Sequence, residues 1–250
     1  MSANKKIMVL EDKISQVLLA IIVEYIETAQ PVGSLELAEK YEIDLSSATI
    51  RNYMSHLEEE GYLCQPHISS GRIPTESAYQ FYSENYNHDF EALPKSTRSR
   101  VQNFMTRWRG EDLIGDREIF LKATAKMLAE VSGDLAMVEF KPNDVYYTGL
   151  AYLFEQPEFE ENQIVVSTGR FIDRVDEMLD QLRNLCTNDI EVFIGKENPI
   201  DRQFSVILGR YRFGNENAEG MLGLIGPLRM PYARNVALMR LVQKQLSQIF

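Results

Sequence analysis

Residues 30–75 read QPVGSLELAEKYEIDLSSATIRNYMSHLEEEGYLCQPHISSGRIPT, and this stretch decides the fold. Gln30-Pro31-Val32-Gly33 stops any helix before it, because proline cannot continue the ladder and glycine frees the turn. Ser34 suits the N-cap of a short helix to about Tyr41, with Leu35 and Ala38 facing inward. Asp44-Leu45-Ser46 supplies the next turn and cap. A helix from Ser47 to Glu60 follows, apolar at Ile50, Tyr53, Met54 and Leu57, and Gly61 closes it as the C′ residue. Two helices separated by a tight turn read as helix-turn-helix. Tyr62-Leu63-Cys64-Gln65 then reads as a strand, His67–Gly71 as a polar turn, and Arg72-Ile73 as the return, ended by Pro74. Helix-turn-helix plus hairpin is a winged helix.

Upstream, Ile14, Val17, Leu18, Ile21, Ile22, Tyr25 and Ile26 recur at steps of three and four, so one helix over Glu11–Thr28 buries one face. Downstream, Thr75 caps a helix carrying Tyr79, Phe81, Tyr82 and Tyr86, whose helical spacing favours inter-domain core over a base-stacking surface. Asn87 to about Gly115 is polar. Between Lys95 and Arg109 it holds Lys95, Arg98, Arg100, Arg107 and Arg109 and no acid, either a solvated face or a phosphate contact. The period then changes. A helix over Asp116–Val131 ends at Gly133, and strands are expected at Leu135–Phe140, Val145–Leu150, Glu191–Ile194, Phe204–Tyr211 and Met221–Ile225. Phe213–Asn217 has hairpin chemistry. Helices are expected over Phe171–Leu185 and from Tyr232 to the C-terminus, with Leu238, Leu241, Val242, Leu246 and Ile249 on one side. The fold class is α+β: an N-terminal winged helix over residues 1–88, a connecting segment over 89–115, and a domain over 116–250 with a mostly antiparallel sheet flanked by helices.

A 44% hydrophobic composition is enough for a core and excludes a wholly disordered chain. No apolar run approaches a membrane span, and no secretory signal is visible. Cys64 and Cys186 lie far apart without a CxxC, which excludes a disulfide framework and points to the cytoplasm. A net charge of −11 argues against non-specific coating of nucleic acid or membrane, but leaves room for a specific reader with a small positive face.

That face is on the third helix. Away from Ile50, Met54 and Leu57 it presents Ser47, Thr49, Arg51, Asn52, Ser55 and His56. Arginine reads guanine bidentately and asparagine reads adenine, so Arg51 and Asn52 suit base edges in a major groove. Ser46, Ser47 and Thr49 offer hydroxyl donors to a phosphate at the helix start. In the wing, His67, Ser69, Ser70 and Arg72 surround a flexible glycine and suit a phosphate backbone or a minor groove. The helix pattern alone is equally compatible with a solvated polar face. Residues 1–80 hold six Lys/Arg and twelve Asp/Glu, a net of −6, so useful affinity takes two copies or help from the basic stretch.

Other chemistry is weaker. Cys64, His67 and His56 fall short of a structural zinc set, and no base or orienting partner makes a nucleophile of either cysteine. No catalytic residue, metal or cofactor is expected. Gly220, Gly223 and Gly226 lack the order of a phosphate loop and read as close backbone packing.

Several motifs carry a family resemblance. Pro31-Val32-Gly33-Ser34, Leu45–Asn52, Gly61-Tyr62-Leu63, Gln65-Pro66-His67 and Ser70–Thr75 closely resemble the heat-inducible transcription repressor HrcA family. So do Leu150–Phe159, with Gln156-Pro157-Glu158-Phe159 at its end, Ile194–Pro199 and Gly226–Tyr232. The resemblance implies a GAF-like second domain and a homodimer on double-stranded operator DNA, at an inverted repeat upstream of chaperone operons. It also implies folding coupled to a GroEL-type chaperonin. Usual members carry a dimerisation domain inserted in the GAF-like one; here Phe140–Val145 leads straight into the Tyr146–Phe159 motif, so the insert is missing. The alternative reading is a winged-helix regulator whose GAF-like domain senses a small molecule.

Overall fold

The computed structural model describes residues 13–85, 93–108, 117–141, 144–160, 189–198, 201–212 and 219–248, together with 169, 181 and 183–186. The chain divides into two compact units, residues 1–86 and 87–250. No helix among the described residues is long and apolar enough to cross a membrane.

In the first unit, helix α1 (Lys13–Thr28) buries Val17 to Ile22 without a break, more than the single face its spacing suggests. Burial all round follows from its central place: α3, α4 and the wing all pack on it. Its buried Glu24 is held by Lys40 Nζ at 2.5 Å and by the Tyr41 hydroxyl at 2.9 Å, so the carboxylate keeps two partners out of water. Helix α2 (Ser34–Lys40) has Gly33, not Ser34, at its N-cap. Ser34 is buried beside Leu37, and that phase turns Leu35 outward, 62% exposed, against the expectation that it faces the core. Helix α3 (Ser47–Glu59) buries Ile50, Met54 and Leu57 and ends before Gly61, whose φ of 81° is the left-handed C′ conformation expected there.

Strands β1 (Leu63–Cys64) and β2 (Ile73–Pro74) pair antiparallel, and an isolated bridge joins Val32 to Arg72. This completes the winged helix. Thr75 precedes α4 (Glu76–Asn85) in the N-cap position, its carbonyl accepting the Ala78 and Tyr79 N–H groups, while its hydroxyl donates back toward the Gly61 and Tyr62 carbonyls. Tyr79 and Tyr82 of α4 are buried; Tyr86 lies outside the described residues. Helix α4 packs on α1 and β2, which places Tyr79 and Tyr82 in the core of the first unit.

In the second unit, residues 95–107, within the stretch expected to connect domains, form helix α5 (Lys95–Arg107). Val101 and Met105 are fully buried, one turn apart, and Phe104 and Trp108 pack on Phe120. Arg109 is not described. Next come α6 (Arg117–Ser132), β3 (Leu135–Lys141), β4 (Asp144–Thr148), a short α7 (Leu150–Phe154), β5 (Ile190–Ile194), β6 (Phe204–Arg212), β7 (Glu219–Pro227) and α8 (Tyr232–Leu246). The strand expected over 145–150 stops at Thr148, because Gly149 at φ 98° turns the chain into α7. The five strands lie in the order β4-β3-β7-β6-β5, every pair antiparallel. The fold class expected is therefore the fold class found. Helices α6 and α8 pack on the sheet, and Leu135, Met137, Val206, Leu208 and Ile225 help build a core with Leu153 and Phe159. The hairpin over 213–217, the body of the helix over 171–185 and Ile249 lie outside the described residues; Arg183 to Leu185 are helical.

Three glycines of β7 allow close approach. A Cβ on Gly220 would stand 2.3 Å from the Glu139 carbonyl, one on Gly223 2.6 Å from Met137, and one on Gly226 2.3 Å from an Asp134 carboxylate oxygen. Asp134 is buried and accepts a 2.7 Å hydrogen bond from Asn235 Nδ2. Burial pushes its carboxyl up to about 7, outweighing the opposing pull of that bond and of Arg234 and Arg229. The folded state thus holds a proton that the unfolded chain releases near its ordinary value of 3.8. The associated stability is full below about pH 4, falls by up to about 1.4 kcal/mol per pH unit toward about pH 7, and is flat above. Asp134→Asn is expected to flatten the decline in urea midpoint between about pH 5 and about pH 7. An equally steep decline in both chains would discharge Asp134 from this role.

Candidate nucleic-acid interface

The start of α3 is built by its cap. Ser46 Oγ accepts from the Thr49 backbone N–H at 3.1 Å and shares a hydrogen bond with Thr49 Oγ1 at 2.9 Å. The Ser46 hydroxyl thus satisfies the helix end and the Thr49 hydroxyl is engaged with it, with Ser47 half-buried beside them. One turn on, Arg51 and Asn52 are exposed on the face opposite Ile50, Met54 and Leu57. Ser55 on the same face folds its hydroxyl back onto the Arg51 carbonyl at 3.2 Å. His56 Nε2 lies 3.4 Å from Glu60, an ion pair only when the imidazole is protonated.

The wing is a braced loop. Gln65 Nε2 donates to the carbonyls of Ile68 and Ser70, both at 2.9 Å. Ser70 Oγ accepts from the His67 N–H at 3.0 Å and donates to the His67 carbonyl at 2.7 Å, so Ser70 is spent on the turn. At the base, Arg72 and Val32 exchange two backbone hydrogen bonds of 2.9 Å. Arg72 Nε also donates to Glu58 Oε2 at 2.8 Å, which ties β2 to α3 and balances the wing cation with an acid. Gly71 is not there for flexibility: a Cβ on it would stand 2.3 Å from the Val32 carbonyl oxygen.

Between the start of α2, α3 and the wing runs a groove of about 500 Å³, with Arg51, Ser70 and Arg72 among its lining. Arg51 has no ion-pair partner among the described residues, so it is the uncommitted cation of this groove. Of the nine expected site residues, the structure gathers these three into one groove. Asn52 and His56 lie on the outward face of α3, His67 on the exposed wing, and Ser46, Ser47 and Thr49 at the head of α3. Sequence reasoning missed Glu58 and Gln65. Glu58 is visible only once the returning strand crosses the end of α3, whereas a glutamine before Pro66 at the foot of a glycine turn is a local hint for Gln65.

Burial, with Glu58 nearby, pushes the Cys64 thiol up, and burial does the same to Cys186, so both favour the unreactive thiol. Among the described residues no group of three His, Cys, Asp or Glu could hold a metal ion.

The family model described as the HrcA protein C terminal domain matches residues 99–236. The heat-inducible transcription repressor HrcA of Caldanaerobacter subterraneus subsp. tengcongensis is 25% identical, covering 97% of each chain. That alignment runs over 346 positions against 250 residues here, so at least 96 positions face gaps in this chain. The HrcA of Mycobacteroides abscessus is 31% identical over 74% of this chain and 52% of its own. A solved structure described only as a hypothetical protein, at 22% identity, superposes with a TM-score of 0.79 over 97% of this chain and 99% of its own, and supports the fold. A winged helix joined to this α+β domain, a C-terminal model covering more than half the chain, and a repressor aligned end to end lead to one conclusion. The chain belongs to the HrcA family.

Proposed function

We propose that this chain is a cytoplasmic transcriptional repressor that binds an inverted-repeat operator of heat-shock genes as a homodimer, with α3 in the major groove and the wing on the adjoining backbone or minor groove. The observation that carries the reading is exposed Arg51, without an ion-pair partner among the described residues, beside exposed Asn52 and next to a braced wing, in a member of a family whose relatives are named heat-inducible transcription repressors. Those relatives are repressors and not enzymes. Electrostatics supports the dimer. A winged-helix segment of net −6 gains little from counterion release alone, whereas two-fold symmetry doubles its contacts and matches an inverted repeat. Coupling to a GroEL-type chaperonin is supported by the sheet, where Leu135 pairs with Ile225, because such distant pairings fold slowly and leave edges bare.

The test is a mobility shift on DNA from upstream of chaperone operons, with a salt titration. Retention equal to that of random DNA of the same length would overturn the reading. Sedimentation is expected to show a dimer at micromolar concentration. Monomer both free and on the operator would remove the homodimer.

A further inference from the structure

The wing carries an apolar side chain that folding does not explain. Ile68 is 99% exposed, the most exposed of the large hydrophobic side chains among the described residues. A single exposed isoleucine on a loose loop would be unremarkable, since soluble proteins show many such residues. This one is held out. The Gln65 amide pins the Ile68 carbonyl itself, Ser70 closes the turn on His67, and the base is clamped by the Val32–Arg72 bridge and the Arg72–Glu58 pair. The loop therefore cannot collapse and carry Ile68 into the apolar interior of its own unit. Its neighbours His67 and Ser69 are exposed too, so the tip is one aliphatic group flanked by polar ones, on the rim of the groove that holds Arg51.

We propose that Ile68 is an apolar minor-groove contact: the wing tip inserts its side chain at the floor of an A·T-rich minor groove beside the major-groove site of α3. The inference rests on the DNA-binding reading above and adds a specificity residue to it. Three points favour DNA. Aliphatic wedges are the usual tools of minor-groove binders, and they demand a rigid mount, because ordering a loop on binding consumes the affinity gained. The tip holds no acid between His67 and Arg72, in a unit otherwise rich in acids. A guanine amino group projects from the minor-groove floor and collides with an apolar side chain, whereas an A·T pair leaves it open. Ile68 thus reads composition without a hydrogen bond.

The experiment uses the full chain and duplexes it enriches from a random pool. Ile68→Ser is expected to weaken binding to the best duplex on the order of tenfold, with Ile68→Val retaining most of the affinity. The salt slope and the unfolding midpoint should stay those of the parent, because no charge and no core contact is removed. The decisive arm exchanges the A·T pairs flanking the α3 site. Inosine·C keeps the open minor groove but changes the major groove, and should bind the parent nearly as well as A·T, whereas G·C should bind it poorly. The serine variant should lose that discrimination. Unchanged affinity of Ile68→Ser, or equal discrimination in both chains, overturns the inference. A parent chain that enriches no duplex at all overturns the DNA-binding reading itself, and the inference with it.

Discussion

A chain carrying Gly71→Ala is expected to lose both its wing and its specific DNA binding. The added Cβ would lie 2.3 Å from the Val32 carbonyl oxygen and 2.4 Å from its carbon, atoms of backbone that cannot swing aside as a side chain end can. Relief requires the strands to part, which breaks both 2.9 Å hydrogen bonds between Val32 and Arg72. Overpacking of this kind costs about 1–3 kcal/mol, and each of the two lost hydrogen bonds about 1 kcal/mol, so a loss of about 3–5 kcal/mol is expected. Arg72 then leaves Glu58, freeing the tip from the end of α3. Hydrogen exchange checks this directly: the Val32 and Arg72 amides should be protected in the parent and exchange freely in the variant. Gly33→Ala is the control, because nothing lies within 4 Å of a Cβ there and φ is −94°. Equal protection in Gly71→Ala and parent would mean the wing has room that the geometry denies it.

Arg51→Ala is expected to weaken specific binding by about 1–3 kcal/mol per half-site and to relax preference at one base position in each. Arg51 is exposed and has no acidic partner among the described residues, so it does not have to leave an ion pair to meet a base. Its loss also leaves nothing buried and unsatisfied, and the unfolding midpoint should barely move. In a dimer the two half-sites compound to about twice the single effect, a loss of roughly 30-fold or more. Affinity measured on duplexes altered one base pair at a time checks it. A uniform loss on every sequence would reassign Arg51 to a phosphate.

How much of this was legible in the sequence differs between the two ends of the argument. Periodicity and punctuation placed α3 to within a residue, because Ser46, Ile50, Met54, Leu57 and Gly61 are local signals of cap, core face and stop. The same reasoning misplaced Leu35, since in a seven-residue helix one step of phase decides what is inside. It took Lys95–Arg107 for a connection because its charges are local, whereas the burial of Val101 and Met105 depends on α8, more than a hundred residues later. Within the candidate site, exposed residues were read from the helix face alone. What engages Arg72 and Ser70 was not legible: Glu58 meets Arg72 only when the wing returns, and the Ser70 hydroxyl turns inward to its own loop. The glycine at 71 signalled a turn, but the reason for it lies across space at Val32.

The sheet order has a consequence for the order of events on the ribosome. The partners of β3 are β4, made at once, and β7, whose Ile225 follows Leu135 by 90 positions. At about 5–20 residues per second, the nascent chain carries β3 for roughly 5–20 seconds before the strand that covers its other edge exists. Among the described residues the winged helix draws its strand pairings from residues 32–74 and can close within that interval. Synthesis therefore delivers a finished reading head first, attached to a half-made sheet.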